Sequence, residues 1–455
     1  MRLDEYIADL QPEDAVERRR LAEEKSYEVL DYLEGVGEQV REATTGDRML
    51  GSTAPSVFVG RHGYPEVSTG ILSPVADADA AGAAELETNA SWYGSLDIDD
   101  VLTRRSSLLN SQRTANVKTA ARVGGGGGLG GAGTGNAPGE GRGASAGSSS
   151  LPRVDDVWDG FVGTQREVAI ADRPVDVEIG LADTLDLEFD LDDVTTPTGP
   201  RAPADSADLA ENPHVPRPVE KTLEDDDWNA EGAMSYLYRR GFDVYDVQRI
   251  LSAGALGQSE SRRLVPTRWS ITAVDDTIGQ YLHGQVRHNP SVDAVEVHAN
   301  EYLGNRYWVV LAPGRWEFEL VEMKSPGSVW NPDPAGNIWL GSASEGYEGR
   351  TAYVEETAGA YYASRLGVLE HLHERGRQAK CLVLREVSDD YWAPVGVWQI
   401  RESIRAAFED AHGEAETFHD AVATVATQLP VGLGRLRQKS DLVAGLQASL
   451  DSFSG

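Results

Sequence analysis

The stretch "YWVVLAPGRWEFELVEMK", residues 307–324, decides the fold. Val309, Val310 and Leu311 precede Pro313–Gly314, and Phe318, Leu320 and Val321 follow it, so the segment reads as two strands around a turn. Downstream, "YVEETAGAYYASRLGVLEHLHERGR" (353–377) has helical spacing and reads as a long amphipathic helix. It leads into "KCLVLREV" (380–387), an apolar run that suits a buried strand. Upstream, "GAMSYLYRRGFDVYDVQRILSAGALG" (232–257) is helical, with stops at Gly241 and at Gly254 or Gly257. Seven of the ten tryptophans fall between Trp269 and Trp398, which places the core there. The class is α+β, a mixed or antiparallel sheet with helices.

The organisation follows from composition shifts along the 455 residues. Residues 1–50 read as a helical segment, with Leu3, Ile7 and Leu10 and later Val29, Leu30 and Leu33 near helical spacing. Residues 51–227 read as an α/β region, opening with short strands punctuated by Pro55, Gly60, Gly63, Pro65 and Gly70. "FVGTQREVAIADRPVDVEIGL" (161–181) gives a short helix and then a strand, and "TLDLEFDLD" (184–192) alternates as a hairpin partner. Within this region 124–150 is a glycine-rich flexible insertion and 193–227 an acidic, proline-rich extended connector. No lysine follows the glycines, so they are no phosphate loop. The core spans 228–400, a helical segment 401–446, and a terminal peptide 447–455.

Charge is the dominant compositional feature: 74 acidic against 41 basic residues gives a net −33. Only six of the 41 are lysine. This aspartate-rich, lysine-poor surface is that of a protein solvated in high salt, where screening shortens to about 3 Å at 1 M. Any nucleic-acid contact must then come from a local arginine cluster rather than the net field. One cysteine, Cys381, excludes an internal disulfide and a cysteine-based zinc site. The nine histidines show no metal-ligand spacing, so no zinc site is expected. The charged N-terminus and the lack of a long apolar run point to a cytoplasmic chain that does not meet the membrane.

Several stretches carry candidate chemistry. In "RRLVPTRWSITAVDDTIG" (262–279), Arg262, Arg263 and Arg268 suit phosphates and Trp269 offers a stacking surface. Asp275 and Asp276, with Arg268, are the candidate catalytic residues; such a pair would take Mg²⁺. Glu317 and Glu319 fall on one face of their strand and Glu322 on the other, which weakens a joint role with that pair. The acid pair could equally start a helix. In 346–365, Arg350, Glu355, Glu356, Tyr361 and Arg365 gather at a helix start, where a macrodipole favours acids regardless of function. In "VGRHGYP" (59–65), the glycines allow close approach to a nucleotide beside Arg61 and His62; a tight turn explains them equally. Residues 101–122 contain Arg104, Arg105, Arg113, Lys118 and Arg122 and no acid, an economical nucleic-acid contact or a solvated helix face. Whether the chain is an enzyme stays open on these residues.

"SVFVGRHGYPEVSTGILSP", "RPVDVEIGL", "ENPHVPRPVEK", "RRLVPTRWSITAVDDTIG", "GRTAYVEETAGAYYASRLGVLEHL" and "YWAPVGVWQIRE", in this order, resemble the archaeal Nre family of DNA repair proteins. The likeness runs from about residue 50 to the end, apart from the glycine-rich insertion. It implies a role in DNA damage repair, contact with DNA, and recruitment to the sliding clamp PCNA through a C-terminal peptide. Many family members resemble one another in a cysteine-rich zinc element near the N-terminus, which is missing here.

The terminus "QASLDSFSG" (447–455) fits that implication. A clamp-binding peptide needs a glutamine, an aliphatic side chain three places on, and an aromatic at the far end. Gln447, Leu450 and Phe453 have this spacing, and Ser454 stands where a second aromatic is often found. The alternative is coincidence, roughly a 10⁻³ event at any one position from composition.

Overall fold

The computed structural model describes residues 48–75, 79–117, 160–182, 195–326, 328, 330–333, 336–409 and 413–445. The N-terminal helical segment before residue 48, the glycine-rich insertion, the "TLDLEFDLD" strand and the terminal peptide lie outside the described residues.

The first half builds on a six-stranded sheet. Its elements are β1 (Arg48–Thr53), β2 (Val57–Val59), β3 (Glu66–Pro74), α1 (Ala80–Glu85), α2 (Ile98–Ser106), β4 (Leu108–Asn116), α3 (Gly160–Ile170), β5 (Val175–Leu181) and β6 (Arg201–Leu209). The strand order is β1-β5-β6-β4-β3-β2. Only β4 and β6 run parallel; the other neighbours are antiparallel. Two expectations are corrected here. The supposed connector 193–227 supplies β6, a central strand, because Ala202, Ala204 and Ala207 alternate inward behind its acids. The acid-free stretch 101–122 is not one helix face, since chain direction changes after Ser107 and residues 108–116 enter the sheet as β4.

Four helices then lead to the second sheet: α4 (Arg217–Glu224), α5 (Ala230–Arg239), α6 (Val244–Ser252) and α7 (Thr267–Val286). Gly241, Gly254 and Gly257 have positive φ where the chain turns out of α5 and α6. Beyond them come β7 (Val295–Tyr302), β8 (Asn305–Ala312), β9 (Glu317–Lys324), β10 (Trp339–Glu345), α8 (Ala358–Arg375), β11 (Lys380–Val387), α9 (Trp398–Ala407), β12 (Gly413–Ala415), α10 (Phe418–Ala426) and α11 (Leu433–Lys439). The order is β10-β9-β11-β8-β7-β12. The strands flanking Pro313–Gly314 are therefore not a hairpin. β11 inserts between them, antiparallel to β8 and parallel to β9. With β12 in the sheet, the segment after 401 is not wholly helical.

Alternation along the strands explains the layers. Tyr307, Val309, Leu311, Phe318, Leu320 and Val383 face α5 to α9. Val310, Val321, Met323, Leu382 and Leu384 face α10, α11 and Val443. Helices thus cover both faces, and β11 reads as a continuous apolar run for that reason. Helix α8 is buried on most sides, from Ala360 to Leu372, so it is a central helix rather than an amphipathic one; it ends at Gly376 in the left-handed region (φ 62°). No helix among the described residues is long and apolar enough to cross a membrane.

Candidate functional site

The one parallel pair of the second sheet, β9 and β11, directs both carboxyl ends at a cleft of about 380 Å³. Lys324 and Val387 end those strands in its wall, and Arg385 and Glu322 lie behind them. Crevices at strand carboxyl ends are recurrent ligand sites in open sheets. Facing them are Arg61, in the loop after β2 of the first half, and Arg268, in the first turn of α7. The floor is the start of α8, residues 355–360. The three stretches singled out in the sequence (59–65, 262–279 and 346–365) therefore converge on one concavity.

Several charges lining this cleft are held by named partners. Arg385 is buried; its Nη1 donates to Glu322 at 2.5 Å, and its Nε and Nη2 donate to the Asn305 side chain. Glu356 pairs with Lys439 at 3.3 Å, and Glu355 is exposed. The Lys324 ammonium sits 4.7 Å over the Trp339 ring while lining the cleft. Arg61, Arg268 and Lys324 make this a cationic concavity on a chain of net −33. Tyr64 and Trp269, close in sequence to the lining residues Arg61 and Arg268, pair at 5.3 Å, both among the exposed large apolar side chains.

Thr357 caps α8 in position only. It has φ −128° and ψ 28°, and its side chain makes no capping bond. Its Oγ1 is buried and has no hydrogen-bond partner among the described residues. A side-chain oxygen at this position normally accepts an amide of the first turn. Those amides have no intrahelical acceptor, so an anion is favoured here.

A small hollow joins this cleft to a second, of about 110 Å³, deeper between the halves. Arg61 and Arg268 line the small hollow and the cleft; Phe58 and Thr195 line the small hollow and the inner one. Arg105, Arg249 and Arg401 face the inner hollow. Arg249 pairs with Glu87 at 2.6 Å and Asp246 at 3.0 Å. Burial pushes Arg105 down to about 10, with Glu87 opposing, and its Nε donates to the Pro197 carbonyl.

The remaining sequence candidates are dispersed. Asp275 and Asp276 lie within α7, not at its start, so the helix-capping alternative does not hold. They are held by different partners: Asp275 by Arg401, and Asp276 by Arg365 at 2.8 Å. Arg365 also donates to Glu345, which accepts from Trp316 and Tyr361. Burial raises Asp275 above the usual carboxylate range, with Arg401 opposing. Glu317 and Lys380 form a pair at 3.2 Å, and Glu319 faces the chain after α11.

Among the proposed nucleic-acid arginines, Arg262 is buried and donates to the carbonyls of Gly257, Thr222 and Leu223. Arg104 donates to the Glu85 carbonyl and Arg113 to that of Asp205, while Arg263 is exposed. These residues sit on separate elements. Lys118, Arg122, Gln447, Leu450, Phe453 and Ser454 lie outside the described residues. Sequence reasoning missed Lys324 and Thr357. A lysine at a strand end in a chain with six lysines, and a threonine opening an 18-residue helix, were the available signals.

Comparison with known proteins adds a second line. A model described as "Archaeal Nre, N-terminal" matches residues 21–127 and 143–331, and "Archaeal Nre, C-terminal" matches 345–453. The gap from 128 to 142 falls in the glycine-rich insertion. The chain is 62% identical, over 100% of both chains, to a Haloferax volcanii protein named "DNA repair protein NreA". It is 34% identical to an Archaeoglobus fulgidus protein of that name, over 91% of this chain and 93% of the relative. It is 32% identical to that organism's "DNA repair protein NreB", over 89% and 92%. No solved structure matches.

Proposed function

The chain belongs to the archaeal Nre family, and from that premise we propose that it is a DNA repair factor that docks on the sliding clamp and engages nucleic acid. The observation that carries this is the 62% identity, end to end, to a protein named for DNA repair. Gln447, Leu450 and Phe453 are the anchors for PCNA, and they follow a short helical stretch at 441–445. In such a peptide a helical turn presents the aliphatic and aromatic side chains to one apolar pocket while the glutamine reaches a second. The nucleic-acid contacts fall to the cationic cleft with Arg61, Arg268 and Lys324, and to half-buried Arg104 and exposed Arg113 and Arg263.

The test is calorimetry of the full chain, and of the chain without residues 447–455, against the clamp of its own organism at multimolar salt. Binding that disappears with the tail supports the reading. Binding that survives the deletion, or is absent from the full chain, removes the clamp from it.

A further inference from the structure

We propose that the cleft between β9, β11 and the start of α8 binds one nucleotide unit, its phosphate on α8 and Thr357 and its base against Trp269 and Tyr64. The proposal rests on the nucleic-acid reading above and specifies where and how such a ligand sits. Three independent features of the cleft converge on it.

The first is the helix terminus. The amides of Ala358, Gly359 and Ala360 open an 18-residue helix whose aligned peptide dipoles place about half a positive charge there. Thr357 is 3% exposed, lines the cleft, and carries a hydroxyl with no partner among the described residues. Leaving a buried hydroxyl unpaired is unfavourable, so a group that completes it is favoured. A phosphate oxygen accepts from both the hydroxyl and the amides.

The second is charge. Arg61, Arg268 and Lys324 line the same cavity, and two of its three glutamates are neutralised by Arg385 and Lys439. The guanidinium of Arg268 is a planar donor suited to phosphate oxygens.

The third is shape. About 380 Å³ is in the range of small-molecule sites and admits a single nucleotide, not a duplex. The exposed Tyr64–Trp269 pair stands beside Arg61 and Arg268 in sequence and offers a ring face to a base. A nucleotide could come free or from a single strand, and both present the same phosphate and base.

The experiment uses the full chain and fluorescence anisotropy with 3′-labelled oligothymidylate, with and without a 5′-phosphate, and thymidine monophosphate as competitor. Thr357→Val keeps the side chain's shape and removes its hydroxyl. Arg268→Gln and Trp269→Leu test charge and stacking. The expected result is about tenfold weaker binding for Thr357→Val and Arg268→Gln, and at least several-fold weaker for Trp269→Leu. The Thr357→Val chain should melt no lower than wild type, because the lost hydroxyl had no partner. Competition by the monophosphate assigns the site to a nucleotide; binding of the oligonucleotide without competition assigns it to a strand. Oligonucleotide binding that all three variants leave unchanged overturns the cleft while nucleic-acid engagement stands. No binding of any probe by the wild type overturns both.

Discussion

Arg401 grips Asp275 through both carboxylate oxygens, at 2.8 and 2.7 Å, with both side chains 1% exposed. Gln248 adds a third donor to the same carboxylate at 3.1 Å. The pair joins α9 to α7 beneath the inner hollow. Removing one partner of a buried ion pair leaves the other charge stranded, which costs about 3–5 kcal/mol. Asp275→Ala should therefore lower stability by that amount in urea unfolding, and Asp275→Ala with Arg401→Met should recover much of it. Single-variant stability within about 1 kcal/mol of wild type would make the pair dispensable.

Glu319 ties the end of the chain to the second sheet. Its carboxylate accepts from Ser440 Oγ at 2.7 Å and from the amides of Asp441 and Leu442, both at 2.9 Å. Glu319→Ala leaves these donors without an acceptor, at about 1–3 kcal/mol. Hydrogen exchange at Asp441 and Leu442 should quicken by about tenfold or more. Exchange at the wild-type rate would show that the anchor lies elsewhere.

His283 sets an acid limit. Its Nε2 lies 3.1 Å from the Tyr347 carbonyl, and burial lowers its pKa although Glu345 raises it; Arg365 and Arg287 lower it further. The native chain then binds fewer protons than the unfolded chain between the lowered value and about 6.5. This contribution is complete above about 6.5 and is lost as pH falls through the native value. Melting temperature followed from pH 7.5 down to 5 should therefore fall less steeply for His283→Gln than for wild type. Parallel curves would remove His283 from the acid response.

For the terminal peptide, Leu450→Ala and Phe453→Ala should each cost 2 kcal/mol or more of clamp affinity, roughly thirtyfold, as anchors of a small apolar hot spot do. Ser454→Phe should bind more tightly, because it restores a second aromatic. Titration of the three variants into the clamp decides this. Equal affinities throughout would leave the spacing a coincidence.

The sequence revealed the elements of the second half better than their neighbours. Periodicity located β8, β9, α8 and β11, because each keeps one pattern for a full length. It could not reveal that β11 separates β8 from β9, since pairing is decided by a crossover more than fifty residues long. The β6 strand was hidden by its acids and Pro203: only three alanines turn inward, a weak apolar signal. At the site, Arg61, Arg268 and Glu355 were each visible, but their proximity was not. The role of Asp275 was obscured because its partner, Arg401, lies 126 positions away.

The place of β11 also governs how the molecule is made. Chains emerge N-terminus first, and β8 and β9, though four residues apart, share no ladder until residues 380–387 arrive between them. Until then each presents an unpaired apolar edge to other nascent chains. Non-local pairing of this kind is slow, and exposed edges favour aggregation. Any truncation before Val387 leaves a sheet divided in two, so production of the second half as a separate fragment requires a chain that runs beyond that strand.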